Sequence, residues 1–179
     1  MRNDECVSGL ENIISKNSFM SLIFIRNEDF VYEERVQLNC FYCSRYNTKW
    51  TCPPKIPPIN YKKIISEYNN LYILKYERNF QKEDFDVVRN ESTNAIHRTL
   101  LQMEKFLYIN NNSLAISFIG GSCKLCKNGC GKERCNNPGM ARIPLEATGV
   151  NVIKTLENIG IKVQFPIKDR FYRYGLIAW

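Results

Sequence analysis

A chain of 179 residues with 44% hydrophobic and 24% charged positions is long enough to bury a core and too evenly mixed to be disordered or fibrous. Its longest apolar runs, SLIFI and LAISFIGG, are too short to span a bilayer, and the N-terminal stretch carries acids and an amphipathic pattern in place of a signal-peptide core. The composition predicts one cytoplasmic domain over residues 1–179, in which eight cysteines read as metal or redox chemistry before they read as disulfides.

In chain order, residues 8–17 have the pattern of a short helix, and SLIFIR (21–26) is a β-type run. YEERVQLNC reads as an extended segment leading into the first cysteines. The stretch CFYCSRYNTKWTCPPKIPPIN holds four of the seven prolines, which fix φ and remove backbone donors, so it is a shaped loop. Asn60 is placed to cap a helix over 61–68, and NLYILKYE (70–77) has the β-branched and aromatic content of a strand. Residues 83–109 form the clearest helix, because Ile96, Leu100, Met103 and Leu107 fall on one face. SLAISFIG (113–120) reads as a buried strand ended by Gly120-Gly121. Beyond the second cysteine loop, 141–159 reads as helical pieces broken near Gly149 and stopped at Gly160. IKVQF and YGLIAW then read as two strands of a closing hairpin. This order predicts an α+β (or α/β) fold with a mixed β-sheet covered by helices, from which two cysteine-rich loops leave the ends of elements.

The cysteines fall into two groups. Cys40, Cys43 and Cys52 are spaced C-x2-C-x8-C and run into two prolines; Cys123, Cys126, Cys130 and Cys135 are spaced C-x2-C-x3-C-x4-C among glycines and lysines. A C-x2-C step lets two thiolates from one turn meet one metal centre, and Gly121, Gly129 and Gly131 let the backbone fold closely around it. Structural zinc sites combine two C-x2-C knuckles from separate segments, whereas the second group comes from one short loop that wraps its metal as ferredoxin-like runs do. The favoured cofactor is therefore an iron–sulfur cluster of 4Fe-4S type, one or two per chain, with zinc as the alternative. The first group is one ligand short. Cys6 is a candidate fourth ligand there, with a small buried hydrophobe as its plain alternative.

Between Arg35 and Ser66 there is no acid, yet Arg35, Arg45, Lys49, Lys55, Lys62 and Lys63 are basic. Lys124, Lys127, Lys132, Arg134 and Arg142 repeat this around the second loop, with Glu133 as the one acid. A solvated basic surface, compensation of thiolate charge and a phosphate-binding face all fit this placement. His97 is the single histidine and reads as a surface or packing residue of the long helix before it reads as a ligand. Tyr42, Tyr46 and Trp50 suit a hydrophobic shield at a metal site better than base stacking. Glu146 is a candidate partner of Arg142 or of a metal-bound species facing the second loop.

Three stretches, CFYCSRYNTKWTCPP, GGSCKLCKNGCGKERC and NPGMARIPLEATGVNVIKTLENIGI, together resemble a prokaryotic domain-of-unknown-function family of predicted metal-binding proteins. The resemblance runs from about Arg35 to the C-terminus. It implies that Cys40, Cys43, Cys52, Cys123, Cys126, Cys130 and Cys135 are the metal-ligand candidates, and that Ala141, Arg142, Glu146, Ala147 and Gly149 form the family's following motif. It carries nothing over to Cys6 and implies no reaction.

With no phosphate-binding glycine loop, nucleophile elbow or H-E-x-x-H pair in the sequence, electron transfer with a redox protein partner is the leading expectation. An enzyme that binds a small-molecule substrate at an open iron of the Cys40, Cys43, Cys52 group is the second. A zinc-stapled module binding nucleic acid through its basic and aromatic residues is the third.

Overall fold

The structure, a computed structural model, describes residues 3–179. Its centre is a four-stranded sheet of β1 (Met20–Phe24), β2 (Leu71–Asn79), β3 (Ile116–Phe118) and β4 (Arg170–Ala178), in the spatial order β1-β2-β4-β3. All three pairings are antiparallel, so the expected α+β class holds while the sheet is antiparallel in place of mixed; a parallel bridge, Ile119 to Pro144, lies outside the strands.

Alternation along β2 explains why both faces of the sheet are covered. Leu74 and Tyr76 point to one face with Ile177 and Phe171, whereas Leu71 and Ile73 point to the other with Leu176 and Ala178. On the first face lie α1 (Asn3–Ile14) and the long α4 (Phe85–Ile109). The apolar stripe of α4 is buried as its periodicity predicts: Ile96, Leu100, Met103 and Leu107 have no exposed surface. Burial of each contributes about 2 kcal/mol. Gly175 lets α4 approach β4 closely, since a Cβ there would stand 2.8 Å from Leu100 Cδ1 and 3.0 Å from the Phe118 carbonyl. The second face is covered by α3 (Tyr61–Ser66), α5 (Val152–Asn158) and the 3-10 turn Leu145–Thr148. Asn60 caps α3 as expected, its Oδ1 accepting from Lys63 N at 2.9 Å.

Three expectations need correction. YEERVQLNC is largely helical: α2 spans Glu34–Phe41, and only Tyr32 makes a bridge, to Val150. No residue of α2 is fully buried, and its eight residues turn only Val36 and Cys40 partly inward, too short a face to distinguish a helix from extended chain. IKVQF forms no strand: the stretch Leu176–Ala178 of its expected partner pairs with β2 on one side and with β3 on the other. Helix α1 begins at Asn3, not at residue 8, with Asp4 and Glu5 in its first turn. That earlier start places Cys6, Leu10 and Ile14 on one buried stripe. Among the described residues no helix is long and apolar enough to cross a membrane.

Candidate metal centre

The first cysteine loop leaves the end of α2, and the second begins just past β3, behind Gly120-Gly121. The two loops meet. Trp50 Nε1 donates to the carbonyl of Gly131 at 2.8 Å, and Lys49, Trp50 and Thr51 line the same small space as Cys123, Cys126, Cys130 and Cys135. Gly131 is required there, since a Cβ would stand 2.3 Å from the Arg134 carbonyl oxygen. Among the described residues no group of three or more His, Cys, Asp or Glu stands ready to hold a metal ion, so the four thiols surround a common space without closing on one point.

Several groups aim at the sulfurs. Asn137 Nδ2 stands 3.1 Å and Asn136 Nδ2 3.9 Å from Cys126 Sγ, and Asn137 N donates to Cys135 Sγ at 3.4 Å. Donors at this position favour a charged sulfur, so the NNP sequence that departs from a ferredoxin-like ending supplies hydrogen bonds to the thiols. No motif singles out these asparagines; only the chain's return past Cys126 does. Burial pushes the Cys123 thiol up, a backbone N–H from Leu125 pulls it down, and the neighbouring Cys130, Cys135 and Cys126 raise it further.

Cys40, Cys43 and Cys52 also lie within electrostatic reach of one another. Cys43 is exposed and its Sγ accepts from Arg45 N at 3.4 Å, whereas Cys52 is buried. Burial pushes the Cys52 thiol up to about 11, with Cys40 and Cys43 adding to the rise. Cys40 is raised by burial first and then by the charge of Glu146. The structure does not bring Cys6 to this group. Cys6 packs in the core beside the C-terminal end of α4, where Asn112 Nδ2 lies 3.5 Å from its Sγ. The second loop instead touches the N-terminal end of α4, through Lys124 Nζ to Asn90 at 2.5 Å. At 1.5 Å of rise per residue those two contacts are separated by about 30 Å along the helix.

The expected pairing of Glu146 with Arg142 is also corrected. Arg142 grips Glu104 of α4, with Nε at 2.7 Å and Nη2 in an ion pair, and Ser117 Oγ donates to the same carboxylate at 2.5 Å. Glu146 faces the backbone N–H of Gly121 and the charge of Arg173. Burial nonetheless pushes its carboxyl up. His97 is buried, and its Nε2 stands 2.8 Å from the Met140 carbonyl, which can only accept, so Nε2 carries the proton. The histidine thus fastens α4 to the segment that follows the second loop.

The basic surround is present in space. Lys124 feels Arg173, Arg89 and Arg45, which draws a cation of the first loop to the second, and its own charge is disfavoured first by burial. Lys55 Nζ lies 4.6 Å over the ring of Trp50. Phe41, Tyr42 and Tyr46 form an edge-on aromatic group at the end of α2, of which Phe41 and Tyr42 are exposed.

A family model described as "Predicted metal-binding protein (DUF2284)" matches residues 23–178. Neither a curated protein nor a solved structure matches the chain.

Proposed function

The chain belongs to that predicted metal-binding family, and from this premise we propose that it is an iron–sulfur protein that exchanges electrons with a redox partner. The observation that carries the reading is the gathering of Cys123, Cys126, Cys130 and Cys135 around one space roofed by Trp50. These residues fit a cluster: four soft donors come from one loop, amide donors aim at two of the sulfurs, and an aromatic ring limits solvent. When bound, such a cluster supplies a one-electron couple. The chain's own part is to offer the thiolates, hold them with Asn137 N–H groups, and offset their charge with surrounding cations, of which Lys49 acts on the Cys52 thiol. The same cations steer an acidic partner to this face.

A second reading is favoured by the position of Cys6. With Cys6 held at the far end of α4, Cys40, Cys43 and Cys52 would hold a cluster by three thiolates and leave one iron open to a substrate.

The test is reversible reduction of the anaerobically purified protein. A broad visible absorbance that bleaches on chemical reduction and returns on oxidation supports the reading. A colourless protein with no redox response contradicts it.

A further inference from the structure

Helix α2 has two apolar faces. Val36 and Cys40 turn partly inward, whereas Leu38, Phe41 and the cap residue Tyr42 form an outer stripe, 55%, 55% and 75% exposed. A surface helix ordinarily turns its apolar stripe to the core and its polar residues to water. In α2 the bulkier stripe faces solvent. Phe41 holds the rings of Tyr42 and Tyr46 edge-on, at centroid separations of 5.2 Å and 5.0 Å, so the aromatic surface is preformed. Exposed apolar patches rich in aromatic side chains mark contact with another macromolecule.

Charge beside the stripe selects the partner. Arg45 lies between Tyr42 and Tyr46 in the chain, is exposed, and its side chain has no hydrogen-bond or ion-pair partner among the described residues. Its charge reaches Lys124, which also feels Arg89 and Arg173. Few carboxylates answer these four cations: Asp86 reaches Arg89 only at 3.9 Å, and Glu146 meets Arg173 from within, its Oε2 enclosed. A partner must therefore bring an apolar group to the stripe and negative charge to the cysteine-loop side. A second copy fails the second demand, since it brings its own Arg45 and a net charge of +7. Nucleic acid suits the stripe poorly: Leu38 offers no stacking face, the Phe41 and Tyr42 rings stand at 83° to each other, and Glu34, one turn before Leu38, repels phosphate. An acidic protein meets both demands.

Resting on the electron-transfer reading, we infer that α2 is the docking surface for a small acidic electron carrier, whose apolar side chain seats on Leu38, Phe41 and Tyr42 and whose carboxylates face Arg45 and Lys124. Three apolar side chains make the core of a small contact, in the class of transient redox encounters that bury less than about 1,200 Å² in total. Cys43, exposed at the edge of the stripe, brings the first cysteine loop to the contact itself.

The test titrates the anaerobically purified full chain calorimetrically with two acidic carriers, a flavodoxin and a plant-type ferredoxin, and with the basic cytochrome c. Saturable binding to an acidic carrier is expected, with none to cytochrome c, and it weakens about tenfold between roughly 20 and 200 mM salt. Phe41→Ala and Arg45→Glu each weaken it by about tenfold. Two controls leave it within about twofold. Leu114→Ala removes an apolar side chain, 81% exposed, beyond the far end of α4, and Lys105→Glu makes the same change of charge near that end. Tyr42→Ala replaces Phe41→Ala if the latter fails to fold or loses its metal. Absence of saturable binding to both acidic carriers, or equal weakening by the controls, overturns the inference. So does tighter binding of a thymidine oligonucleotide, or self-association of the chain that Phe41→Ala abolishes. The same preparation is treated with dithionite. A chain whose absorbance bleaches but that binds neither carrier defeats the docking surface alone; a colourless chain defeats the electron-transfer reading, and the carrier assignment falls with it.

Discussion

Trp50 on the first cysteine loop donates its indole N–H to the Gly131 carbonyl on the second, at 2.8 Å, and so makes the two loops one structural unit. Trp50→Phe keeps most of the ring and removes the donor. One hydrogen bond of ordinary net worth, about 1 kcal/mol, corresponds to roughly a fivefold change in an equilibrium. Loss of metal from the second loop to a chelator is therefore expected to be several-fold faster in this variant, followed by the decay of the metal-dependent absorbance. An unchanged rate would show that the bond does not hold the loop.

Glu104 is the hub on the opposite side of the second loop. It takes Arg142 and Ser117 together and thereby ties α4, β3 and the chain beyond Cys135. Its side chain is 12% exposed and that of Arg142 21%. Removing one partner leaves a poorly solvated charge, so Glu104→Ala is expected to cost about 3 kcal/mol in chemical denaturation. The exposed pair of Arg78 and Glu91 is the control, and Glu91→Ala costs less than about 1 kcal/mol. Equal losses from the two variants would contradict the ranking.

His97 gives a pH dependence with a definite sign. Burial holds its folded pKa below 6.5, so the unfolded chain takes up a proton that the folded chain refuses. Stability attributable to His97 is complete above the unfolded pKa and falls as pH drops below it toward the folded value. His97→Gln lacks this titration. The melting temperature of the native chain minus that of His97→Gln is therefore expected to decrease from pH 7 to pH 5. As His97 is the only histidine, no other imidazole contributes. A difference that is flat or rises with acid contradicts the assignment.

Cys6 separates core packing from ligation. In the folded chain it shares a buried stripe with Leu10 and Ile14 and meets Asn112. Cys6→Ala is expected to cost about 1 kcal/mol of stability through lost packing and to leave the metal content unchanged. Metal loss in this variant would return Cys6 to the ligand set.

How much of this was legible in the sequence differs from element to element. The α4 stripe and the β2 run were readable because period and burial coincide: Ile96, Leu100, Met103 and Leu107 face one core, and alternate residues of β2 face two. The α2 segment was not, because its half-buried face comprises only Val36 and Cys40, too short a period to separate helix from extended chain. The strand pattern in IKVQF misled because the residues expected to pair with it, Leu176–Ala178, pair with β3, a partner some sixty residues upstream that no local pattern records. At the candidate centre the cysteine spacings pointed to the residues that gather in space. The sulfur-facing Asn136 and Asn137, the Trp50–Gly131 bond and the switch of Arg142 from Glu146 to Glu104 depend on contacts up to 81 residues apart, which no local pattern records.

The most direct measurement of the central claim is iron, acid-labile sulfide and zinc per chain after anaerobic purification, on the native sequence and on Cys123→Ser. About four iron and four sulfide are expected for each filled cluster, with no stoichiometric zinc and the loss of one cluster's complement in the variant. Stoichiometric zinc with no sulfide, or a full iron and sulfide count in Cys123→Ser, would contradict it.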